Sequence, residues 1–546
     1  MRIKFLWLLA AVTIGFIFNQ KYSLSLNEQT PSLSVDETFF YAPRSRQFLD
    51  NKNFADVAIW EHRQDRSLYL GEIIPTVLLA GIKNNFSRAD ILFPALSFLA
   101  IGWLIFQLTK NHYLSMFGST LTIGFFHYLN YFPYLPSILT KIWLALSQGS
   151  YSLLMRTPHP QLTLGLWAIF GGLVWLRLNK RLSAVWLGLG LAVLTYSHFF
   201  YWTFGLVWIL ILGNFTSILI WFLLTIPYFI NQWQLINLSV WPEFMARINL
   251  PSALNINQVN LMVAGFLLIL LIKQPKLKRF WTTFYLSADL IVVVSTLCHL
   301  GVDDPVGHWF TRIIEPMTII MFISLLADRI KKMPNWLLMG LSYLILIYLG
   351  LTQQIYFNKN KAGLQIETTK TEAFNWLNSN TPKDSVVVTA SLKDNIYLAA
   401  YTHNNTYISK SQNSLATIEE QIIRFMSIYR TAGIEAVRVN EMFSLTEANK
   451  KLRLEKRFNF DDCGGTFFYF RKFVANDYYN CSIPAKELTK LIKQYNNFES
   501  NLKQYRTDYW LWGPYEKQWA KIYPKTIANW QKLWENQDYI IYKIND

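Results

Sequence analysis

Repeated apolar runs, each about as long as a bilayer is thick, constrain this chain more than any other feature of its sequence. They follow one another from residue 5 to about residue 352, and the short loops between them carry many of the basic residues. A run of about 20 apolar residues lets a helix cross the hydrocarbon core of a membrane. The pattern predicts a polytopic α-helical membrane protein with about 11 spans.

The chain changes character after about residue 352. Residues 417–430 have the apolar spacing of an amphipathic helix, and residues 385–391 are a β-branched run typical of a strand. Further strand candidates are TFFYFRKFV, DYWLWG and DYIIYKI. The sequence therefore predicts two parts. A multi-span module covers residues 1–352, with a long first extracytoplasmic loop at 21–88, and a soluble extracytoplasmic α/β domain covers 353–546.

The net charge of +16 reports membrane orientation rather than nucleic-acid binding, because the basic residues cluster in short loops between apolar runs. The loops at 177–181, 273–279 and 329–332 fall on one side of the membrane, together with the N-terminus. We expect that side to be cytoplasmic, in a multi-pass protein of the cell membrane. This orientation requires three spans in residues 184–231. With two spans there, the predicted side of the membrane would be reversed for every later loop and for the C-terminal domain.

Two local features leave alternatives open. Residues 1–20 have the basic start and apolar core of a signal peptide, but no clear small-residue cleavage site follows, which favours a retained first span. Cys463 and Cys481 fall in the predicted outside domain, where they either pair or remain buried thiols.

Asp36 and Glu37 come directly after the first span. Carboxylates held near a bilayer surface are costly to desolvate and are often functional. The alternative is a solvated surface pair or a helix cap. Arg44 follows within the same stretch, so the group suits a base or a metal ligand facing a phosphate-bearing, lipid-borne substrate.

Other ionisable residues fall on the same predicted face. Arg156 and His159 precede span four, and Arg312 lies at the start of span ten. Arginine suits phosphate because its planar fork makes paired, charged hydrogen bonds. The alternatives are headgroup anchoring for Arg156 and His159, and a snorkelling side chain for Arg312.

A third set could contact substrate or a metal ion, and it consists of His62, Asp303, Asp304 and His308. Asp303 and Asp304 precede a proline and also suit an ordinary turn. His198 stands beside aromatic residues and is more typical of a packed interfacial histidine than of a catalytic one.

Several stretches resemble the GT-C superfamily of integral-membrane glycosyltransferases. They are VDETFFYAPRSRQF at 35–48, RTPHPQLTLGLW at 156–167, TDYWLWGPYEKQW at 507–519 and DYIIYKI at 538–544. The layout is also similar: a first span, a long outside loop with an acidic residue near its start, a multi-span bundle and a soluble tail domain. The chain lacks the WWD signature of oligosaccharyltransferases, which leaves the subfamily, sugar and acceptor open.

The resemblance implies transfer of a hexosyl or pentosyl group, with inversion, on the extracytoplasmic face. The donor would be a polyprenyl-phosphate sugar, and the acceptor a lipid, a glycan or a protein. Asp36 would act as the general base or help to hold a divalent metal ion, with Glu37 assisting. Arg44, Arg156, His159 and Arg312 would bind the donor phosphate.

Two other functions stay open. A transporter or flippase for an amphipathic lipid should show mid-span charges or paired broken helices in two halves. The sequence has few such charges and no evident two-fold repeat. A polymerase or ligase acting on lipid-linked glycans would need similar residues, so the sequence separates it poorly from a glycosyltransferase.

Overall fold

The structure is a computed structural model. It describes residues 2–20, 40–50, 58–63, 67–83, 85–124, 135–148, 156–248, 256–298, 305–330, 332–360, 366–444, 460–469, 482–523 and 530–545. Asp36, Glu37, Asp303 and Asp304 lie outside the described residues, so what the sequence predicts for them stays a prediction.

Helices dominate the described part of residues 2–360. In chain order they are α1 (Arg2–Phe18), α2 (Ala42–Leu49), α3 (Ile73–Gly81), α4 (Phe86–Thr109), α5 (His112–Gly124), α6 (Leu135–Gln148), α7 (Thr163–Leu178), α8 (Ala184–Thr195), α9 (Phe199–Ile211), α10 (Phe215–Ile236), α11 (Trp241–Ile248), α12 (Ile256–Leu270), α13 (Pro275–Cys298), α14 (Pro305–Trp309), α15 (Glu315–Ile330) and α16 (Asn335–Asn360). A π-helical turn, Phe310–Ile314, joins α14 to α15.

Apolar composition marks these helices as those of a membrane protein. Among the described residues, four helical segments are long and apolar enough to cross a bilayer, namely α4, α10, Gly307–Ile330 and α16. Six shorter apolar helices accompany them. One of these runs from Leu70 to Gly81, inside the stretch that the sequence assigned to a long outside loop.

Small residues let the helices of the bundle approach closely. A Cβ atom on Gly102 of α4 would clash with the ring of Trp7, so α1 packs directly on α4. A Cβ on Gly165 of α7 would lie 2.6 Å from the hydroxyl of Ser97, again on α4. Such small-residue contacts are typical of helices packed in membranes. Helix α4 is thus a common support for α1 and α7.

Residues 184–236 form three separate helices, of which α10 is long and apolar enough to cross a bilayer and α8 and α9 are shorter apolar helices. Helices α8, α9 and α10 are divided by short turns at 196–198 and 212–214. Gly213 adopts φ +69° in the second turn, a left-handed conformation that glycine tolerates at little cost.

A five-stranded sheet lies in the C-terminal part of the chain. Its strands are β1 (Val386–Val388), β2 (Asn405–Thr406), β3 (Tyr509–Trp512), β4 (Trp530–Glu535) and β5 (Ile540–Ile544), in the order β2-β1-β3-β5-β4. β1 pairs parallel with β2 and β3, and β5 pairs antiparallel with β3 and β4. Helices accompany the sheet: α17 (Thr368–Asn380), α18 (Leu392–Tyr401), α19 (Ile418–Thr431), α20 (Ala436–Phe443), α21 (Gly464–Phe468), α22 (Ala485–Asn497) and α23 (Pro514–Trp519).

One predicted strand is wrong where the structure describes it. The run TFFYFRKFV begins inside the short helix α21. The ring of Phe468 packs against those of Phe425, at 5.2 Å, and Phe443, at 6.0 Å, between centroids. This aromatic cluster holds the segment outside the sheet. Cys463, directly before α21, is disulfide-bonded, which agrees with the paired alternative for this cysteine.

Two arginines join the C-terminal part to the membrane part through backbone carbonyl groups. Arg46 of α2 donates to the carbonyls of Thr402, at 2.6 Å, and Asn404, at 2.9 Å, just after α18. Arg247 of α11 is fully buried and donates to the carbonyl of Ser411 at 2.9 Å. The two parts are therefore in direct contact at α2 and α11.

The predicted orientation has a direct test. Cysteines introduced singly into the loops at 177–181, 273–279 and 329–332 should be protected from an impermeant thiol reagent in intact cells, while cysteines introduced after residue 366 should react. The positive-inside rule is the physical basis of this expectation. Labelling of the basic loops from outside, with protection of the C-terminal part, would contradict it.

Candidate functional site

Arg44 is the first member of a buried polar cluster at one end of the bundle. Its side chain is 2% exposed, and one terminal nitrogen donates to the carboxylate of Glu72. The guanidinium also lies over the ring of Tyr69, with 3.2 Å between Cζ and the ring centroid. A carboxylate at the edge and an aromatic ring on the face restrict the guanidinium to one orientation.

His159 lies beside Arg44 in the turn that precedes α7. Its ring is buried, and its Nδ1 lies 3.1 Å from the hydroxyl of Thr163. The Nε2 atom is buried and has no hydrogen-bond partner among the described residues. The ring packs edge-on against Tyr41 and His198, with centroid distances of 5.2 and 4.3 Å. A buried nitrogen without a hydrogen-bond partner costs free energy. This atom therefore indicates a place where a ligand can bind.

Asp90 of α4 holds the turn that carries His159. This fully buried carboxylate accepts hydrogen bonds from the hydroxyl of Thr157 and from Nε2 of Gln161, the latter at 2.9 Å. The hydroxyl of Ser97 donates to the carbonyl of Gln161. Two residues of α4 therefore fix the turn directly before α7.

His198 and Arg312 complete the cluster from two other elements. His198 directly precedes α9, and Arg312 lies in the π-helical turn before α15. One terminal nitrogen of Arg312 donates to Nε2 of His198 at 2.9 Å. Since arginine has only donors, this nitrogen of His198 must be the unprotonated acceptor. His198 is therefore neutral in this arrangement.

Burial and neighbouring arginines keep both histidines neutral. The pKa of His159 is lowered well below its ordinary value, first by desolvation and then by Arg312, Arg44 and Arg156. The pKa of His198 is lowered well below its ordinary value by burial, and further by His159, Arg312, His308 and Arg156. Loss of hydration and nearby positive charge both disfavour the imidazolium form. Among the described residues, the guanidinium groups of Arg44 and Arg312 are thus buried beside two neutral histidines.

Glu72, His159 and His198 form a group that could hold a metal ion. One ligand atom from each lies within 4.8 Å of the others. Two neutral imidazoles and one carboxylate suit Zn²⁺ and leave positions open for water or substrate. Arg44 and Arg312 already bond Glu72 and His198. A cation would therefore compete with them, unless an anion entered to accept the arginine hydrogen bonds.

The structure brings together most of the predicted phosphate-binding set. Arg44, His159 and Arg312 lie in the cluster, and the charge of Arg156 acts on both buried histidines. His308 is adjacent, because its ring stacks on that of Phe200, a neighbour of His198, at 4.8 Å.

His62 contacts the C-terminal part of the chain. Its Nε2 bonds the carboxylate of Glu420, at 2.9 Å, at the start of α19. Glu420 also bonds Arg424, whose guanidinium reaches Glu61 at 2.9 Å. In the part of the chain that the structure describes, this network joins residues 58–63 to α19.

Glu72 and His198 were not predicted as site residues. Glu72 is one of several charged residues in the stretch predicted to form the first outside loop, and its contacts in the structure distinguish it from the others. His198 is followed by the aromatic run FFYW, and this context is typical of a histidine that packs in an apolar core. The one signal available was position, since both residues lie at the same predicted membrane face.

Comparisons with known proteins add little to this geometry. Neither a protein-family model nor a curated protein matches the chain. Among solved structures, the chain is similar to ArnT from Cupriavidus metallidurans bound to undecaprenyl phosphate, with 10% sequence identity and a TM-score of 0.46. The match covers 99% of this chain and 98% of that one. A likeness at this level defines neither the reaction nor the residues of the present chain.

Proposed function

We propose that this protein transfers a sugar from a polyprenyl-phosphate-linked donor to an acceptor at the extracytoplasmic face of the membrane. The observation that carries the proposal is the convergence of guanidinium groups on two neutral, buried histidines. Arg44 and Arg312 are buried in the cluster, and the charge of Arg156 acts on the same histidines. Phosphate matches the planar forks of such groups, which can bind it through paired, charged hydrogen bonds. The nearby apolar helices suit an isoprenoid tail.

In the proposed reaction, an acceptor hydroxyl oxygen attacks the anomeric carbon of the donor sugar. The bond between that carbon and the phosphate oxygen breaks, so the lipid phosphate leaves and the configuration at the anomeric carbon is inverted. Asp36 takes the proton from the acceptor, with Glu37 assisting. Arg44, Arg156 and Arg312 stabilise the charge that develops on the leaving phosphate, which is how fixed cationic donors lower such barriers.

A divalent cation fits the same site. Glu72, His159 and His198 would hold it, and when bound it would supply further positive charge to the leaving phosphate. Phosphate would then accept the arginine hydrogen bonds that Glu72 and His198 accept in the described structure. We therefore expect the cation and the phosphate to bind together more tightly than either binds alone.

Zinc titration checks the metal proposal without any assay of activity. The purified protein should bind about one Zn²⁺, and replacing His159 or His198 by alanine should weaken binding at least about tenfold. His403→Ala, in the C-terminal part, should leave binding unchanged. Because the pKa of both site histidines is lowered, binding should persist as the pH falls through 6.5, where ordinary histidines protonate.

Polyprenyl phosphate should strengthen zinc binding in the same titration. Equal zinc binding by wild type and both site variants, or no effect of the phosphate lipid, would contradict the metal assignment.

The function itself is tested by incubating the purified protein with a panel of polyprenyl-phosphate sugars and following release of polyprenyl phosphate. We expect cleavage or transfer with at least one donor and none with nucleotide sugars. Movement of a labelled lipid across a vesicle membrane, without cleavage of any donor, would overturn the proposal in favour of a transporter.

A further inference from the structure

Tyr69 connects the buried cluster to the C-terminal part of the chain. Its ring lies against the guanidinium of Arg44, at 3.2 Å from Cζ to the ring centroid. Its hydroxyl donates to the backbone carbonyl of Gln412 at 3.3 Å, across 343 residues of sequence. The ring face contacts Arg44, and the hydroxyl, with which Arg44 also hydrogen-bonds, reaches Gln412. One residue therefore contacts both Arg44 and a loop that follows β2.

The loop that receives the hydroxyl is firmly held. Arg247 is fully buried and donates to the carbonyls of Ser411, at 2.9 Å, and Ala416, at 3.1 Å. Leu415, between them, packs in an apolar cluster with Phe244 of α11. Gln412 thus presents its carbonyl from a loop fixed on both sides of it.

The segment that carries Tyr69 is held independently. The carbonyl of Ser67 accepts a hydrogen bond from the amide of Asn231 in α10 at 2.8 Å. The hydroxyl of Ser67 accepts one from the backbone nitrogen of Tyr69 at 3.2 Å. Glu72, three residues further on, binds the edge of Arg44. One short segment therefore supports Arg44 on its face and at its edge.

We propose that Tyr69 is a positioning residue that fixes the plane of Arg44 from the C-terminal part of the chain, so that its fork is oriented before the donor phosphate binds. This inference rests on the proposed function. Orienting a flexible cation in advance removes an ordering cost that the ligand would otherwise bear. The C-terminal part would then contribute to donor binding without contacting the donor.

Substitutions at Tyr69 separate the role of its hydroxyl from that of its ring. Tyr69→Phe removes the hydroxyl and keeps the ring over Arg44, and we expect donor KM to rise roughly 3- to 10-fold with kcat nearly unchanged, the range for a lost hydrogen bond. Tyr69→Leu removes both contacts and should raise KM further. Tyr196→Phe is the matched control, since it removes a hydroxyl that donates to the carbonyl of Leu224 at 3.2 Å. An equal change in KM in the control would overturn the proposal.

A double mutant tests whether Tyr69 acts through Arg44. Lysine has no planar fork to orient. Tyr69→Phe should therefore have no further effect on KM in an Arg44→Lys background. If KM of the double variant rose by the product of the two single-variant factors, the proposal would be overturned.

Hydrogen exchange provides a readout that does not need activity. The amides of Ala42–Leu49 should exchange faster in Tyr69→Phe than in Tyr196→Phe, and equal exchange would overturn the positioning role. Failure of the proposed function would instead appear as no donor cleavage by the wild type, whatever the exchange result.

Discussion

Replacing Arg312 by alanine should lower kcat/KM for the lipid-linked donor roughly 30- to 1000-fold, or about 2–4 kcal/mol. The guanidinium is only 8% exposed and bonds His198, so its loss leaves a buried acceptor without its donor and a phosphate without its counter-charge. Steady-state kinetics with a range of donor concentrations measures this loss. Arg329→Ala, at the opposite end of α15, is the control and should change little.

If Arg156 and Arg312 bind the donor phosphate together, substitutions at the two positions should not act independently. Arg156→Lys should already impair activity, because lysine keeps the charge but loses the planar fork. The Arg156→Ala, Arg312→Ala double variant should lose much less than the sum of the single losses, since the second change acts on a broken site. Headgroup anchoring predicts the opposite: small, additive losses with lysine fully tolerated at both positions.

Asp36→Asn should reduce transfer by roughly 10²- to 10⁴-fold, the contribution of a well-placed general base. Expression and thermal stability should stay near wild type, because removing a solvated loop charge changes the free energy of unfolding by less than about 0.5 kcal/mol. Donor binding should also persist, since Arg44 and Arg312 remain. A melting curve and a donor-binding measurement on the same variant check both expectations.

Glu37→Gln tests the second member of the acidic pair, and we expect a smaller loss of activity than for Asp36→Asn because Glu37 only assists. If Asp36→Asn retained more than a tenth of the wild-type activity, Asp36 would not be the only base and Glu37 would be the next candidate. Loss of both activity and stability in Asp36→Asn would indicate a structural role instead of a chemical one.

Local pattern was enough to locate many of the secondary-structure elements. The apolar runs at 184–231 became three helices, and the runs at 385–391, 507–512 and 538–544 contain β1, β3 and β5. Each of these depends on residues that are close in sequence. The strand predicted for TFFYFRKFV failed where α21 was found, because contacts with Phe425 and Phe443 outweighed local β-propensity.

The cluster around Arg44 was accessible to sequence reasoning only in part. Arg156, His159 and Arg312 share a predicted membrane face, so topology alone grouped them. Glu72 and His198 join them through contacts made by the packed bundle, which no spacing in the sequence encodes. The carboxylate of Asp90 likewise acts across 67 residues on the turn before α7.

The position of the Arg312 side chain depends on the number of residues in the π-helical turn Phe310–Ile314, and not only on the residue type at position 312. Such a turn holds one residue more than an α-helical turn, and π turns are frequent at functional sites. Each residue of an α-helix rotates the next by about 100°. Deleting one residue there would restore a regular helix and turn either Arg312 or the whole of α15 away from its partners. A related chain with one residue fewer in this turn could therefore match every flanking residue and still place its arginine away from the cluster.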